Sequence, residues 1–284
     1  MTIETIAVCG AGTMGRGIAQ VCATAGFATI VYEPGAATLQ AAKENLHASL
    51  QTMVSKGRIT AAEAGEVQGR LYFTQNLEEC KAQLVIEAIV EVPEVKAQLF
   101  TQLAAINEPD TIFASNTSSL SISALAQAIP HPHRFAGLHF FNPAPLMKLV
   151  EVVAGEQTGS EVIQQLEQLV SRLGKTAVTC TDAPGFIVNR VARPFYIEAL
   201  RQAEGDVEMQ TIDRLMEARG FKMGPFKLMD LIGNDVNYAV SCSVYEQLNK
   251  PERLRPSPLQ QQKVVSGHLG KKTGKGYYDY NWGS

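Results

Sequence analysis

The sequence predicts an α/β fold, with a mainly parallel sheet over residues 1–183 followed by an all-helical segment over residues 184–284. Three observations carry this expectation. Up to about residue 182, short branched apolar runs alternate with longer alanine-rich segments, the pattern of successive β-α-β units. Beyond TDAPGFIVNR (181–190) the alternation stops and helix-length segments with Gly and Pro punctuation take over. With 284 residues, 45% of them hydrophobic, the chain can bury two cores.

The elements follow in order. TIAVCG (5–10), ATIVYE (28–33), LYFTQ (71–75), QLVIEAIV (83–90) and TIFAS (111–115) have the composition of buried strands, and residues 13–26, 36–56 and 94–106 that of helices. FAGLHF (135–140) and LVEVV (149–153) flank the turn chemistry of NPAP, which predicts a hairpin about Pro145. Residues whose numbers sum to 290 then face each other, and His139 and Glu151 are such a pair. TAVTC (176–180) extends the sheet. Helices are expected over 186–204, 209–219, 226–249 and 257–267, with GYYDY (276–280) as a possible final strand.

Charged residues make up 19% of the chain and the net charge is −3, so no overall basic field recruits nucleic acid or anionic lipid. No apolar run reaches the length of a membrane span, and the N-terminus passes almost directly into a strand. The five cysteines are scattered and never spaced CxxC, which argues against both a disulfide framework and a zinc site. A cytoplasmic protein without metal, nucleic-acid or membrane partners is expected.

CGAGTMGRGIA places Gly10, Gly12 and Gly15 as GxGxxG between a strand and a helix. The pattern alone also fits an ordinary glycine turn. In this context it predicts a dinucleotide site, with Thr13 and Met14 in the turn and the pyrophosphate at the helix N-terminus. Glu33 ends the second strand, where a carboxylate accepts both ribose hydroxyls of NAD and repels a 2′-phosphate; a solvated strand end is the bland alternative.

A bound nicotinamide implies hydride transfer, and oxidising an alcohol requires a base. Of the five histidines, His139 alone combines an apolar strand with a candidate carboxylate partner. Glu151 would fix its tautomer and stabilise its cation, although a core histidine satisfied by a structural carboxylate fits the hairpin equally well. In SNTSSLS (115–121), Ser118 is placed to bind a substrate oxygen; Ser118 or Ser119 also suits a helix cap. Asn189, in DAPGFIVNR, is a polar residue in an apolar helical turn, either a ligand contact or a helix–helix hydrogen bond.

Taken together, GAGTMGRGIA, IFASNTSSLSI, RFAGLHFFNPAPLMKLVEVV, DAPGFIVNR, MGPFKLMDLIG and GKKTGKGYYDY resemble the 3-hydroxyacyl-CoA dehydrogenase family, in order from residue 5 to about 280. The resemblance implies a Rossmann-like domain and a helical domain that forms a homodimer interface. It implies NAD as cofactor, an acyl-CoA substrate, His139 as base, Glu151 as its orienting acid, and Ser118 and Asn189 as the polar pair at the substrate. Asn142 matches a position beside the nicotinamide, and Asn116, Glu91 and Lys96 belong to the implied cofactor side. Ser49 and Lys56 match positions that contact CoA. Glu33 stands where the family more often has Asp, Val92-Pro93 replaces a more usual Asn-Leu, and Asn234 stands where an apolar residue is common. The implied reaction is NAD-dependent oxidation of an (S)-3-hydroxyacyl-CoA to the 3-oxoacyl-CoA, or its reverse. The rival readings are a dehydrogenase of a free hydroxy acid such as gulonate, and a non-catalytic dinucleotide-binding or structural protein.

Overall fold

The computed structural model describes residues 2–280; Met1 and residues 281–284 of the two expected segments lie outside the described residues. The chain divides into two compact units, Met1–Asp182 and Ala183–Ser284.

The first unit holds an eight-stranded sheet. β1 (Thr5–Cys9) leads through α1 (Thr13–Thr24) to β2 (Ala28–Tyr32), and α2 (Ala36–Ser55) and α3 (Ala61–Gly69) lead on to β3 (Leu71–Thr74). Next come β4 (Leu84–Glu87), α4 (Pro93–Ile106), β5 (Ile112–Ser115) and the short α5 (Ile122–Ala126). β6 (Phe135–Phe140) and β7 (Leu149–Ala154) form the hairpin, followed by α6 (Ser160–Arg172) and β8 (Thr176–Thr181). The order is β3-β2-β1-β4-β5-β6-β7-β8, and every neighbouring pair is parallel except β6–β7. The fold class is the expected one. Parallel strands covered on both faces need continuous apolar runs, and Ile6–Val8 and Leu84–Ile86 are fully buried.

One row of the sheet fixes where a ligand can lie. Tyr32, Cys9, Glu87, Ser115, Gly137 and Val153 are successive partners across six strands. β2, β1, β4 and β5 all end at this row, whereas β6 runs on to Phe140. His139 therefore stands past the carboxyl ends of the central strands.

Three helices add to those the spacing predicts. α3 begins at a capping box, Thr60-x-x-Glu63, with both reciprocal bonds formed. α6 buries Val162, Leu166, Leu169 and Val170 along one face. α5 is capped by Ser121, not by Ser118 or Ser119: the Ser121 hydroxyl accepts from Ala124 N–H. Ser121 in turn donates to Asp182, whose carboxylate also accepts from the N–H groups of Ile122 and Ser123.

The second unit contains α7 (Val188–Glu204), α8 (Met209–Ala218), α9 (Pro225–Ile232), α10 (Asn234–Gln247) and α11 (Pro258–Val265). The single helix expected over 226–249 is two helices, because Gly233 breaks it at φ +107°. Tyr196, Leu200, Phe226 and Met229 centre its core. GYYDY is not a strand; residues 270–280 make isolated bridges and fold as a strap over α9. The buried Asp230 carboxylate accepts from Asn234 Nδ2, from the N–H groups of Tyr277 and Tyr278, and from the Tyr280 hydroxyl. Asp213, also buried, caps α9 through Phe226 and Lys227 N–H and accepts from the Tyr278 hydroxyl. Asn234 is fully buried in this network, where it also donates to the His268 carbonyl.

Candidate active site

Two sets of residues lie at the carboxyl end of the first unit's sheet. The turn between β1 and α1 is the first. A Cβ on Gly15 would lie 1.8 Å from the Gly10 carbonyl oxygen, and one on Gly10, itself at φ +103°, 2.6 Å from the Ala88 carbonyl oxygen. Only glycine fits at either position. Around Gly12 nothing lies within 4 Å of such a Cβ, so the turn is open there. The first turn of α1, which includes Thr13 and Met14, has no side-chain cap and no acidic residue. Its N–H groups and positive dipole end are thus available to an anion. The half-buried Glu33 accepts from Ala11 N–H (3.1 Å) and Gly35 N–H (3.2 Å), which aims its carboxylate at the same turn. These features fit a dinucleotide, with phosphates over Gly12 and ribose hydroxyls at Glu33.

The second set stands on the hairpin. His139 and Glu151 are direct partners in the β6–β7 register. Nδ1 of His139 is 2.6 Å from Oε2 of Glu151, and the residues are 6% and 0% exposed. A carboxylate only accepts, so Nδ1 carries the proton and donates it. The Phe141 ring packs against the imidazole, with centroids 4.5 Å apart.

The loop after β5 is tied to the second set. Asn116 accepts from the Phe140 N–H at 2.9 Å, tying the loop to the histidine strand. Glu91 accepts from the Thr117 hydroxyl (2.5 Å) and the Ser118 N–H (2.9 Å). Burial opposes ionisation of Glu91, but the Lys96 ammonium and these hydrogen bonds outweigh it and hold its carboxyl below the usual glutamate range. Asn142 is exposed at the hairpin turn, before Pro143. That turn packs on α1: a Cβ on Gly17 would lie 3.2 Å from Ala144 and 3.3 Å from Pro145. Lys175 holds it from the other side, donating to the Ala144 and Met147 carbonyls.

Residues 5–183 match the model of the NAD-binding domain of 3-hydroxyacyl-CoA dehydrogenase, and residues 185–280 match that of its C-terminal domain. The chain belongs to the 3-hydroxyacyl-CoA dehydrogenase family. It is 48% identical over 283 residues to 3-hydroxyadipyl-CoA dehydrogenase of Escherichia coli K12, covering 99% of this chain but 60% of that protein. It is 42% identical to a probable 3-hydroxybutyryl-CoA dehydrogenase of Deinococcus radiodurans, covering 96% of this chain and 99% of that one. A crystal structure of 3-hydroxybutyryl-CoA dehydrogenase from Escherichia coli K12 superposes with a TM-score of 0.96 at 47% identity, covering all of this chain and 61% of that one.

This family member also carries a cleft of about 630 Å³ between α1, α2 and the hairpin turn. Ser49 of α2 and Lys56, the residue that caps its C-terminus, both line it. Arg58, Lys148, Arg172 and Lys175 line it too, and sequence reasoning missed all four. Burial, reinforced by neighbouring Lys148, pushes the Lys175 amine below its ordinary range. Asn189 belongs to the other unit, as the second residue of α7, where its carbonyl accepts from Arg193. His47, His131 and His133 are exposed. Among the described residues no cluster of His, Cys, Asp and Glu is arranged to hold a metal, and no helix is long and apolar enough to cross a membrane.

Proposed function

We propose that this dehydrogenase interconverts (S)-3-hydroxyacyl-CoA and 3-oxoacyl-CoA. The observation that carries the reading is the buried His139–Glu151 pair at the sheet end that also holds the glycine turn. Bound NAD supplies the acceptor for the C3 hydride. His139 Nε2 takes the hydroxyl proton, and Glu151 holds the ring and stabilises the imidazolium as it forms. Ser118 and Asn189 orient the C3 oxygen, while Asn142, Glu91 and Lys96 serve the cofactor side. The thioester undergoes no covalent step. Five free cysteines suit a reducing, cytoplasmic setting. The deciding assay is NADH oxidation with acetoacetyl-CoA, 3-oxohexanoyl-CoA, 3-oxoadipyl-CoA and a free keto acid. Turnover of the free acid alone would discard the CoA assignment.

The cationic lining of the α2 cleft favours CoA over a small hydroxy acid, which has no phosphates to place there. None of Lys56, Arg58, Lys148, Arg172 and Lys175 pairs with a carboxylate among the described residues. Lys56 is exposed at the C-terminus of α2, where a cation also suits the helix dipole. Replacing it with alanine is expected to raise the KM for acetoacetyl-CoA roughly five- to tenfold, an exposed charge-assisted contact being partly screened. Because the phosphates lie far from the reacting carbon, kcat should barely change. Acetoacetyl-pantetheine, which lacks those phosphates, should not sense the substitution. An unmoved KM for acetoacetyl-CoA would leave Lys56 as a plain helix-terminal lysine.

A homodimer built on the helical unit is part of the same proposal. That unit leaves Val191, Leu215, Phe221, Leu231, Val236 and Val265 exposed, a large apolar share for five helices to present to water. Sedimentation at micromolar concentration is expected to give twice the 30.8 kDa chain mass, and a purely monomeric species would refute it.

A further inference from the structure

We infer that Glu87, Lys96 and Glu91 form a chain of charges, enclosed at Glu87 and Lys96 and reaching the surface at Glu91, whose task is to position the Ser118 loop, with Glu87 as its fixed end. This deepens the functional reading above and rests on it for the role of Ser118. Lys96, in the first turn of α4, is 1% exposed, and its ammonium lies 2.5 Å from Glu87 Oε1 and 3.0 Å from Glu91 Oε2. Glu87, the last residue of β4, is fully buried; Oε1 also accepts from Ile89 N–H and Oε2 from the Ser115 hydroxyl at 2.6 Å. The sheet therefore fixes Glu87, Glu87 fixes Lys96, and Lys96 fixes Glu91. Glu91 spends its remaining oxygen on Thr117 and on the Ser118 backbone.

Packing alone does not require this arrangement, because buried ion pairs are commonly replaceable by apolar groups of similar volume without loss of stability. The direction of the chain is what singles it out: it starts in the sheet and ends on the backbone of a substrate-side residue. Of the three, only Glu91 reaches the surface to any extent. Lys96 thus acts through Glu91 as a positioning residue, enclosed by carboxylates on two sides, and its support of the cofactor side is indirect.

The test is the double variant Glu87→Gln/Lys96→Met, which removes both enclosed charges together and strands neither. Hydrogen exchange followed by mass spectrometry reads the loop without depending on activity. Amides of residues 116–120 are expected to exchange at least about tenfold faster, with those of 135–140 unchanged, because only the loop loses its anchor. The kcat for acetoacetyl-CoA reduction should fall by about ten- to a hundredfold, the range in which a displacement near 1 Å acts, with a smaller change in KM. Unchanged exchange over 116–120 in the folded variant would overturn the proposal, and so would faster exchange throughout the first unit, which marks a general stabilising role. Should the double variant not fold, Glu91→Ala severs the last link while leaving the Lys96–Glu87 pair, and the same loop-confined change is expected. Absence of acetoacetyl-CoA reduction in the unmutated protein would defeat the functional reading, while the exchange result still decides the positioning one.

Discussion

Replacing His139 with glutamine is expected to lower kcat by about 10² to 10⁴, the usual contribution of a positioned general base, while NADH affinity stays at the unmutated value. The two readouts separate because the imidazole stands on β6, whereas the glycine turn and Glu33 belong to the β1-α1-β2 unit. Glu151→Gln tests the other half of the pair. Its amide can still accept from Nδ1 across the same 2.6 Å, but it supplies no charge when the imidazolium forms. The expected result is a loss comparable to that of the histidine variant, and a smaller one if orientation alone were the role of Glu151. Near-normal kcat in either variant, with a native circular dichroism spectrum, would remove the paired base from the mechanism.

The second large effect belongs to the glycine turn, where two neighbouring glycines should fail in different ways. In Gly15→Ala the new methyl overlaps backbone, the Gly10 carbonyl at 1.8 Å, so the turn itself must move. Two charge-assisted hydrogen bonds to a pyrophosphate are worth roughly 1.5–3 kcal/mol each, so displacing both donors weakens NADH by about a hundredfold or more. The forced shift also lowers the melting temperature. In Gly12→Ala the methyl meets no protein atom within 4 Å and enters the space where phosphates would approach. NADH binding should again fall sharply, now with the melting temperature unchanged. Fluorescence titration and thermal unfolding of both variants decide it: tight NADH binding by Gly12→Ala would move the dinucleotide away from this turn.

Most of the strands were legible because parallel strands are apolar along their whole length. The hairpin register was legible too, since a turn about Pro145 leaves a single pairing, and His139↔Glu151 is a pair in the structure. What escaped was of two kinds. Local signals were present but passed over: Thr60-x-x-Glu63 announces α3, and the apolar spacing of Val162, Leu166 and Leu169 announces α6. Other features depended on contacts remote in sequence. Gly233 reads as an ordinary helix end or a tolerated interior glycine until its φ of +107° is known, and Ser121 gains its advantage as a cap partly from Asp182, about sixty residues away. Glu87 falls between the two kinds. Its signal, a carboxylate inside the apolar run LVIEAIV, is the one that drew attention to Glu151, but its partner lies on a helix rather than on a facing strand.

The strap over α9 sets an order of assembly. Asp230 and Asp213 are enclosed carboxylates, and three of the four donors to Asp230 come from residues 277–280, nearly fifty positions later. Gly276 is needed for the fit, since a Cβ on it would lie 2.0 Å from the Asp230 carboxylate. During vectorial synthesis the sheet unit has all its residues by Asp182 and can close while the ribosome is still adding the helices. The helical unit has no such freedom: until Tyr280 is out of the exit tunnel, burying Asp230 means burying a charge short of donors. A chain lacking residues 277–280 would therefore keep its sheet unit while its helical unit stayed open around Asp230.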